Sequence, residues 1–572
     1  MTHRYTTLIL TLIAILASIG CAQEISYPEG LLDRDVVIAA GASVTTEAYL
    51  NADEVLVDDL IRVRYEADGT ATRWDDTVVK VLTERGKESN QSLAFHFTLP
   101  YTELDVTLVE VIKPDGTVTA VDLATQGQVM VDPSQMYMNI YNPNAKVYEV
   151  GVPDVEIGDL VRYVFVKRTV KPRMPNTWAD RELFEYETPV KHFVYEIDGP
   201  AELPLASLAL KDEIEGTVAY TTTEADGRIH HRWEATDVPR LYYEPRMPSI
   251  TMIAQRVRVS TSPDWETISS WYWALCESHI AATTPEMQAK VAELTDGLTD
   301  RQAKVEAIFY WATQQVRYMG ITTETDAPGY EPHDVSITFE NKYGVCRDKA
   351  ALLVAMLRLA GFEADMVLIH AGDKRDREVP DPYFNHAIVA LHEADGSVQL
   401  LDCTSDTTKE LLPSYLSDKN YLVATEAGSD LATTAVTPAE NNLVSTDSVG
   451  SLSADGTLTL HTTMRFTGSE DNWLRGYFSS LRPEERRQLI ERIIKSTVAG
   501  ATLTDLTITP TNMQDTSTPL VIELERVAYT YGGAELFADL SMTLAPGSFH
   551  FLTGPSGVGK TTLLKMCYGE LI

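Results

Sequence analysis

The stretch GVCRDKAALLVAMLRLAG, residues 344–361, places a cysteine immediately before an apolar pattern with helical spacing. The pattern predicts a helix that begins near Cys346 and ends before Gly361, because glycine commonly follows a helix C-terminus. At the first turn of a helix, unpaired N–H groups and the positive end of the dipole stabilise a thiolate. Arg347 and Lys349 add positive charge nearby. The stretch therefore predicts a reactive thiol at a helix N-terminus.

Two further motifs follow this helix, and each contains a residue that a catalytic thiol requires. His386 in FNHAIV begins one predicted strand, and Asp402 in LLD ends the next. A thiol nucleophile needs a base within reach and a third group that orients the base. Adjacent antiparallel strands would bring Asp402 beside His386, while the helix would pack Cys346 against the sheet. The strands are predicted at Ala364–Ile369, Ala387–Leu391 and Val398–Leu401.

These three motifs, in this order, resemble those of the bacterial transglutaminase-like superfamily. The resemblance implies a papain-like α+β core over residues 260–430 with Cys346, His386 and Asp402 as the catalytic triad. It further implies that the thiolate attacks an amide carbonyl and passes the acyl group to an amine or to water. Members include cross-linking enzymes, proteases and inactive relatives. The alternative is therefore a non-catalytic scaffold that binds peptides or glycans, and no cofactor is expected for the thiol domain.

The sequence around this core predicts a multidomain α+β protein. Residues 45–250 show alternating apolar and charged positions and recurrent Asp-Gly turns, which predict an antiparallel β-sandwich. This region resembles the uncharacterised β domain that precedes such cores in bacterial envelope proteins. Thr299 is predicted to cap a helix with Gln302 reaching back to it. Residues 445–520 predict a partial β domain that contains one helix, 483–495.

Composition and the N-terminus indicate an exported protein. The 572 residues include 83 acidic and 47 basic side chains, and a formal charge of −36 repels phosphate backbones, so a nucleic-acid partner is excluded. Residues 1–22 predict a signal peptide, with lipidation at Cys21 and simple cleavage after Ala22 as the two outcomes. The expected location is the periplasm or cell envelope, where an outer-membrane lipoprotein is one outcome. The expected partner is a protein or peptide substrate.

A P-loop stands at the C-terminal end of the chain. Residues 554–561, GPSGVGKT, match GxxxxGK[ST] in full. Residues 521–572 resemble the start of an ABC ATPase of the FtsE cell-division type, which implies ATP and Mg²⁺ as ligands. The implied binding residues are Tyr531, Gly554, Ser556, Gly557, Gly559, Lys560, Thr561 and Thr562. An ATP-binding cell-division protein is thus a third hypothesis.

The chain ends twelve residues after Lys560, without a second acidic strand or a signature motif. The expectation is therefore a truncated, inactive ATPase fragment, joined to the thiol protein near residues 519–521 in a chimera. The five cysteines show neither disulfide nor zinc spacing.

Overall fold

The computed structural model describes residues 32–321, 329–453, 457–497, 501–530, 551–554, 560–561 and 564. The predicted signal peptide with Cys21 lies outside the described residues, as do Tyr531, Ser556, Gly557, Gly559 and Thr562. Within the described part of the chain, no helix has the length and apolar character needed to cross a membrane.

The N-terminal region, up to residue 260, is dominated by β-strands. Its helices are α1 Arg34–Ala42, α2 Glu84–Ser89, α3 Leu123–Gln126 and α4 Ile250–Ile253, with a 3₁₀ turn at Pro133–Met138. Its strands are β1 Glu54–Tyr65, β2 Ala71–Val81, β3 Ser92–Thr98, β4 Thr102–Ile112, β5 Val118–Ala120, β6 Gly127–Val131, β7 Ile140–Tyr141, β8 Ala145–Gly151, β9 Leu160–Thr169, β10 Ala179–Leu183, β11 Val190–Pro200, β12 Ser207–Lys211, β13 Val218–Ala225, β14 Arg228–Val238 and β15 Arg256–Ser260.

Fourteen of these strands form one large sheet and two small ones, and β7 pairs with a strand of the central region. The eight-stranded sheet has the order β13-β14-β11-β1-β2-β9-β4-β5, and the three-stranded sheets are β10-β15-β12 and β3-β8-β6. Apolar residues of each small sheet pack on the large one, as Val257 and Val259 do on Ile61. The predicted antiparallel arrangement is wrong for one pair, because β1 and β11 run parallel. The long chain between these two strands allows the parallel pairing, which no short turn could make.

The central region is a helical layer against an antiparallel sheet. Its helices are α5 Trp265–Ile280, α6 Pro285–Thr295, α7 Arg301–Gln315, α8 Val335–Asn341 and α9 Cys346–Leu359, with a 3₁₀ turn at Ser414–Leu416. Its strands are β16 Arg317–Tyr318, β17 Gly320–Ile321, β18 Tyr343–Gly344, β19 Ala364–Ile369, β20 His386–His392, β21 Val398–Leu401, β22 Asn420–Val423 and β23 Ala432–Thr433. The five-stranded sheet has the order β21-β20-β19-β22-β23. The large N-terminal sheets, the mixed helix-and-sheet central region and the C-terminal sheet with its helices confirm the multidomain α+β class.

Helix α9 lies at the centre of this region and is buried on all sides from Arg347 to Leu357. The predicted cap of α7 is wrong: Asp300, not Thr299, accepts the Ala303 N–H at 2.8 Å. A carboxylate is a favourable acceptor at the positive end of a helix. Gln302 donates instead to Glu306, one turn further on.

The C-terminal region is a four-stranded sheet with two helices on it. Its strands are β24 Val444–Leu452, β25 Thr457–Phe466, β26 Thr502–Thr509 and β27 Val521–Thr530, in the order β24-β25-β27-β26, with a 3₁₀ turn at Ala439–Asn441. The helices are α10 Gly468–Ser479 and α11 Pro483–Thr497. The single predicted helix is therefore wrong, since α10 was missed. Burial of Leu474 and Phe478 offsets the low helix propensity of a segment with two glycines. The predicted boundary between residues 520 and 521 falls inside this sheet.

Candidate active site

Cys346 is the first residue of α9, as the sequence predicts. Asp348 stabilises this end of the helix, because its carboxylate accepts the Val345 N–H at 3.0 Å and the His333 N–H at 3.0 Å. The Ala387 N–H donates to the sulfur of Cys346, and His386 forms a side-chain hydrogen bond with it. The thiol thus lies where the end of α9 meets the start of β20.

His386 and Asp402 lie side by side at the ends of neighbouring strands. The two atoms His386 Nε2 and Asp402 Oδ2 are 3.1 Å apart. Asp402 is 1% exposed and also accepts the Thr404 N–H at 3.0 Å and the Thr404 hydroxyl at 2.6 Å. The structure therefore brings the three predicted residues together, in the order thiol, imidazole, carboxylate.

The charges of these groups stabilise one another. Burial alone would lower the pKa of His386, but Asp402 and the thiolate raise it to about 10. Burial acts to raise the pKa of Asp402, yet the His386 cation and the hydrogen bonds bring it down to about 2. Burial likewise opposes ionisation of Cys346, but the hydrogen bond with His386, its charge and Arg347 lower the pKa of the thiol. All three shifts act in the direction of a thiolate–imidazolium pair beside a carboxylate.

Two tyrosines contact the site without any sequence signal that could have predicted them. The hydroxyl of Tyr415 donates to Asp402 Oδ2 and lies 3.2 Å from His386 Nε2. The hydroxyl of Tyr318 hydrogen-bonds the Cys346 side chain and accepts its backbone N–H. Tyr318 pairs with Gly344 through β16 and β18, which places it beside the thiol. Such pairing between distant segments is invisible in the local sequence pattern.

The two predicted cations differ in their roles. Arg347 contributes to the thiolate's stability and donates to the Gly329 carbonyl at 2.9 Å. The ammonium of Lys349 is fully buried and donates to the Thr313 and Val316 carbonyls, so it joins α9 to the end of α7. Its charge interacts with Asp402 and Cys403.

The remaining described cysteines are core residues. Cys276 and Cys403 are each 1% exposed, and burial raises the pKa of both thiols to about 12. Neither is ionised at neutral pH, so Cys346 is the only activated thiol among the described residues. Those residues also contain no group of three or more side chains suited to hold a metal ion.

A cleft of about 720 Å³ opens onto the site. Cys346 and His386 lie on its core side, whereas Tyr137, Met138 and Arg173 line it from the N-terminal region. The two regions also join directly, because β17 pairs in parallel with β7. Both regions therefore build the cleft.

Of the predicted P-loop residues, the structure describes Gly554, Lys560 and Thr561. The Lys560 ammonium donates to the Gly554 carbonyl at 2.6 Å. The ligand set for ATP remains a prediction.

Comparison with known families finds three matches, each to a separate part of the chain. Residues 67–242 match "Domain of Unknown Function with solved-structure structure (DUF3857)", residues 288–393 match "Transglutaminase-like superfamily", and residues 537–572 match "ABC transporter". The predicted recognition of these three parts is confirmed; the cell-division subtype of the last part stays a prediction.

Comparison with individual proteins adds two crystal structures and one curated relative. A presumed protease from Parabacteroides distasonis is 15% identical, with a TM-score of 0.55, over 84% of this chain and 95% of its own, which shows a shared fold. A presumed cysteine protease from Cytophaga hutchinsonii is 13% identical over 56% of this chain and 80% of its own, with a TM-score of 0.19. The zinc import ATP-binding protein ZnuC of Yersinia pestis is 35% identical over 51 residues, 9% of this chain; the chain spans a fifth of that relative's length.

Proposed function

Because residues 288–393 are a transglutaminase-like core, we propose that this protein is a thiol enzyme acting on amide bonds. Cys346 is the nucleophile, His386 the base and Asp402 the group that orients it. The observation that carries this proposal is the contact series from the thiol to His386 and from His386 Nε2 to Asp402 Oδ2 at 3.1 Å. Two other described thiols in the same fold lack these partners and have a raised pKa.

The proposed reaction proceeds in two halves. The thiolate of Cys346 attacks the carbonyl carbon of an amide, and His386 gives its proton to the nitrogen as the C–N bond breaks. The amine leaves, and a thioester remains. An incoming amine or water then attacks the thioester while His386 takes its proton. The S–C bond breaks and the starting thiol–histidine pair is restored.

The cleft favours a peptide or protein as the substrate. Its walls combine exposed aromatic and thioether side chains, Tyr137 and Met138, with the amide of Asn385 and the cation of Arg173. Apolar side chains accommodate those of a peptide, and the polar groups are suited to its amide backbone and negative groups. The choice between hydrolysis and transfer is then a competition between water and an amine for the thioester.

Two readouts distinguish the outcomes of this proposal. A glutamine-containing protein is incubated with the full chain and a fluorescent primary amine, and new amino termini are quantified in parallel. Amine incorporation supports transfer, and new termini support hydrolysis. Cys346→Ala abolishes either product, whereas Cys403→Ala retains it. If neither product forms and Cys346 reacts with iodoacetamide no faster than Cys403, the enzyme proposal fails and the non-catalytic scaffold is favoured.

We further propose that the protein acts in the cell envelope. The support is the apolar run at residues 8–19, which ends near Cys21. Intact-mass analysis of the protein from its native cells is expected to show loss of residues 1–20 with a lipid on Cys21, or loss of residues 1–22. A cytoplasmic protein that retains Met1 would contradict export.

A further inference from the structure

A second cavity, of about 840 Å³, lies inside the N-terminal region between the large sheet and the two small ones. Facing sheets normally bury apolar side chains. Here the inward positions of β2 and β9 include Arg73, Asp75 and Lys167. Charged side chains in such a position cost stability unless they are paired, so their presence indicates a binding site rather than an ordinary core.

One end of the cavity has an excess of carboxylates. Asp75 and Glu182 share the single cation Arg73, with Arg73–Asp75 at 3.1 Å and Arg73–Glu182 at 2.6 Å. Asp59 is 7% exposed, and within the described residues no cation pairs with it. Among the described residues, Asp59 is hydrogen-bonded to the Thr77 hydroxyl, at 3.1 Å, and the same hydroxyl oxygen lies 2.8 Å from Asp75. A hydroxyl has one proton to donate. A single proton cannot satisfy both carboxylates.

A cation bound here would remove this deficit. Burial, together with the charges of Asp75 and Glu182, raises the pKa of Asp59 well above its ordinary value. A primary ammonium group would supply both the missing positive charge and up to three hydrogen-bond donors.

The other end of the cavity has an excess of cations. Lys167 lies directly across from Arg73 in the β2–β9 register, so two like charges are neighbours. No carboxylate of the described residues forms an ion pair with Lys167, although Asp180 also lines the cavity. Burial and the charge of Arg73 lower the pKa of Lys167, and the charge of Asp180 opposes them. Lys171 and Arg173 line the cavity beyond it. This end is suited to a carboxylate.

The strand register gives the distance between the two ends. Asp59 is paired with Thr77, and Lys167 is paired with Arg73, four residues further along β2. At about 3.3 Å per residue the two rows are about 13 Å apart along β2, and two strand spacings of about 4.8 Å separate β1 from β9, so Asp59 and Lys167 are about 16 Å apart. An extended chain covers at most about 3.3–3.6 Å per residue, so about four to five residues fill this span.

The cavity adjoins the catalytic cleft. Thr98, Tyr101 and Arg173 line both. Tyr383 of the core forms part of the cavity wall, and its hydroxyl donates to the Ala179 carbonyl at 3.0 Å. Tyr383 precedes His386 by three residues, so a ligand in the cavity lies close to the strand that holds the base.

We propose that this cavity is a binding site for a short zwitterionic peptide, about four residues long, whose free ammonium group lies at Asp59 and whose free carboxylate lies at Lys167. Recognition of both free ends makes the cavity selective for small peptide fragments over internal segments of proteins. The site is separate from the thiol and does not depend on the proposed amide chemistry.

The test uses the full chain carrying Cys346→Ala, so that no peptide is consumed, and isothermal titration calorimetry. Tetra-alanine with free ends is compared with its N-acetylated form and with its C-terminally amidated form. We expect each cap to weaken binding at least tenfold. In Lys167→Gln, amidation should no longer matter while acetylation still does; in Asp59→Asn, the reverse should hold. Lys191→Gln is the matched control, because Lys191 lies on β11 of the same sheet and does not line the cavity.

Free, N-acetylated and amidated tetra-alanine are compared on the chain that carries Cys346→Ala alone, and this comparison does not depend on whether Asp59→Asn or Lys167→Gln folds. Equal binding of free and capped peptides would overturn the proposal, as would absence of binding at millimolar tetra-alanine. Uniform weakening of all three peptides by either cavity variant would also overturn it, because that pattern indicates a general structural effect. None of these results bears on the reactivity of Cys346.

Discussion

Asp402→Asn is the substitution that separates the charge of the site from its shape. Asparagine has nearly the same size as aspartate, so the side chain can still contact His386, Thr404 and Tyr415. What disappears is the negative charge 3.1 Å from His386 Nε2. At an effective dielectric constant of about 20, two unit charges at this distance attract by about 5 kcal/mol. One pKa unit corresponds to about 1.36 kcal/mol, so this attraction is worth about four units.

This magnitude agrees with the raised pKa of His386, about 10 against an ordinary 6.5. Without Asp402, the pKa of His386 should return toward its ordinary value, and the imidazolium that stabilises the thiolate would be lost above pH 7. Above pH 7 Cys346 would then ionise as an ordinary thiol, of which about 9% is thiolate at pH 7.5. The greater nucleophilicity of a more basic thiolate offsets part of this loss. We expect labelling of Cys346 at pH 7.5 to slow by about 3- to 10-fold, and by much less at pH 9.

The assay is carbamidomethylation by iodoacetamide, followed over time by peptide mass spectrometry. The peptides that contain Cys276 and Cys403 are internal controls, since both thiols have a pKa raised to about 12. Asp406→Asn is the matched control variant, because Asp406 is exposed and contacts Gln514 rather than His386. A profile for Asp402→Asn that coincides with the unsubstituted profile from pH 5 to pH 9 would refute the proposed ion pair.

Three further predictions concern the surroundings of the site. Tyr415→Phe removes a hydrogen bond to a carboxylate whose pKa is about 2, so it should lower the free energy of unfolding by about 1.5–3 kcal/mol at pH 7. This loss should fade as the pH falls from 4 toward 2, because the depressed pKa of Asp402 stabilises the fold only while the carboxylate is ionised; urea melts across this range test it, and a loss constant with pH would contradict it. Arg475→Met leaves buried Asp471 without its partner at 2.6 Å, and should cost about 3–5 kcal/mol, against less than about 1 kcal/mol for Arg487→Met at an exposed ion pair; equal melting temperatures would contradict it. A chain ended after residue 530 should resist limited proteolysis of residues 444–530, whereas one ended after residue 520 should be cleaved there; equal cleavage would contradict the role of β27.

The sequence predicts the local elements of the core closely, and the reasons are physical. The apolar pattern after Cys346 and the alternating strands around His386 are short-range signals, and the helix and strands begin within one or two residues of the predicted positions. The contact between His386 and Asp402 follows from these elements, because the pairing of adjacent antiparallel strands determines which residues at their ends are neighbours. Tyr318 and Tyr415 were not predicted, because each reaches the site through pairing or a turn far from the motifs. The hydrogen bonds of Lys349 were not predicted for a similar reason, because its acceptors, the Thr313 and Val316 carbonyls, lie at the end of α7.

Local sequence and long-range strand pairing also give different information about the C-terminal part of the chain. Sequence similarity marks a change of family, and the match to ABC transporters covers residues 537–572. Hydrogen bonding marks a structural unit, and β27 lies between β25 and β26, so it is bonded on both of its edges. Without β27, the sheet would separate into the β24–β25 hairpin and a lone β26, and the apolar side chains of Ile522 and Leu524 would be lost from the cluster below the helices. Residues 521–530 therefore belong structurally to the sheet that precedes them in the chain. A junction between two genes near residue 520 remains compatible with this fold, because a strand that alternates apolar and polar residues pairs with an exposed sheet edge whatever its origin.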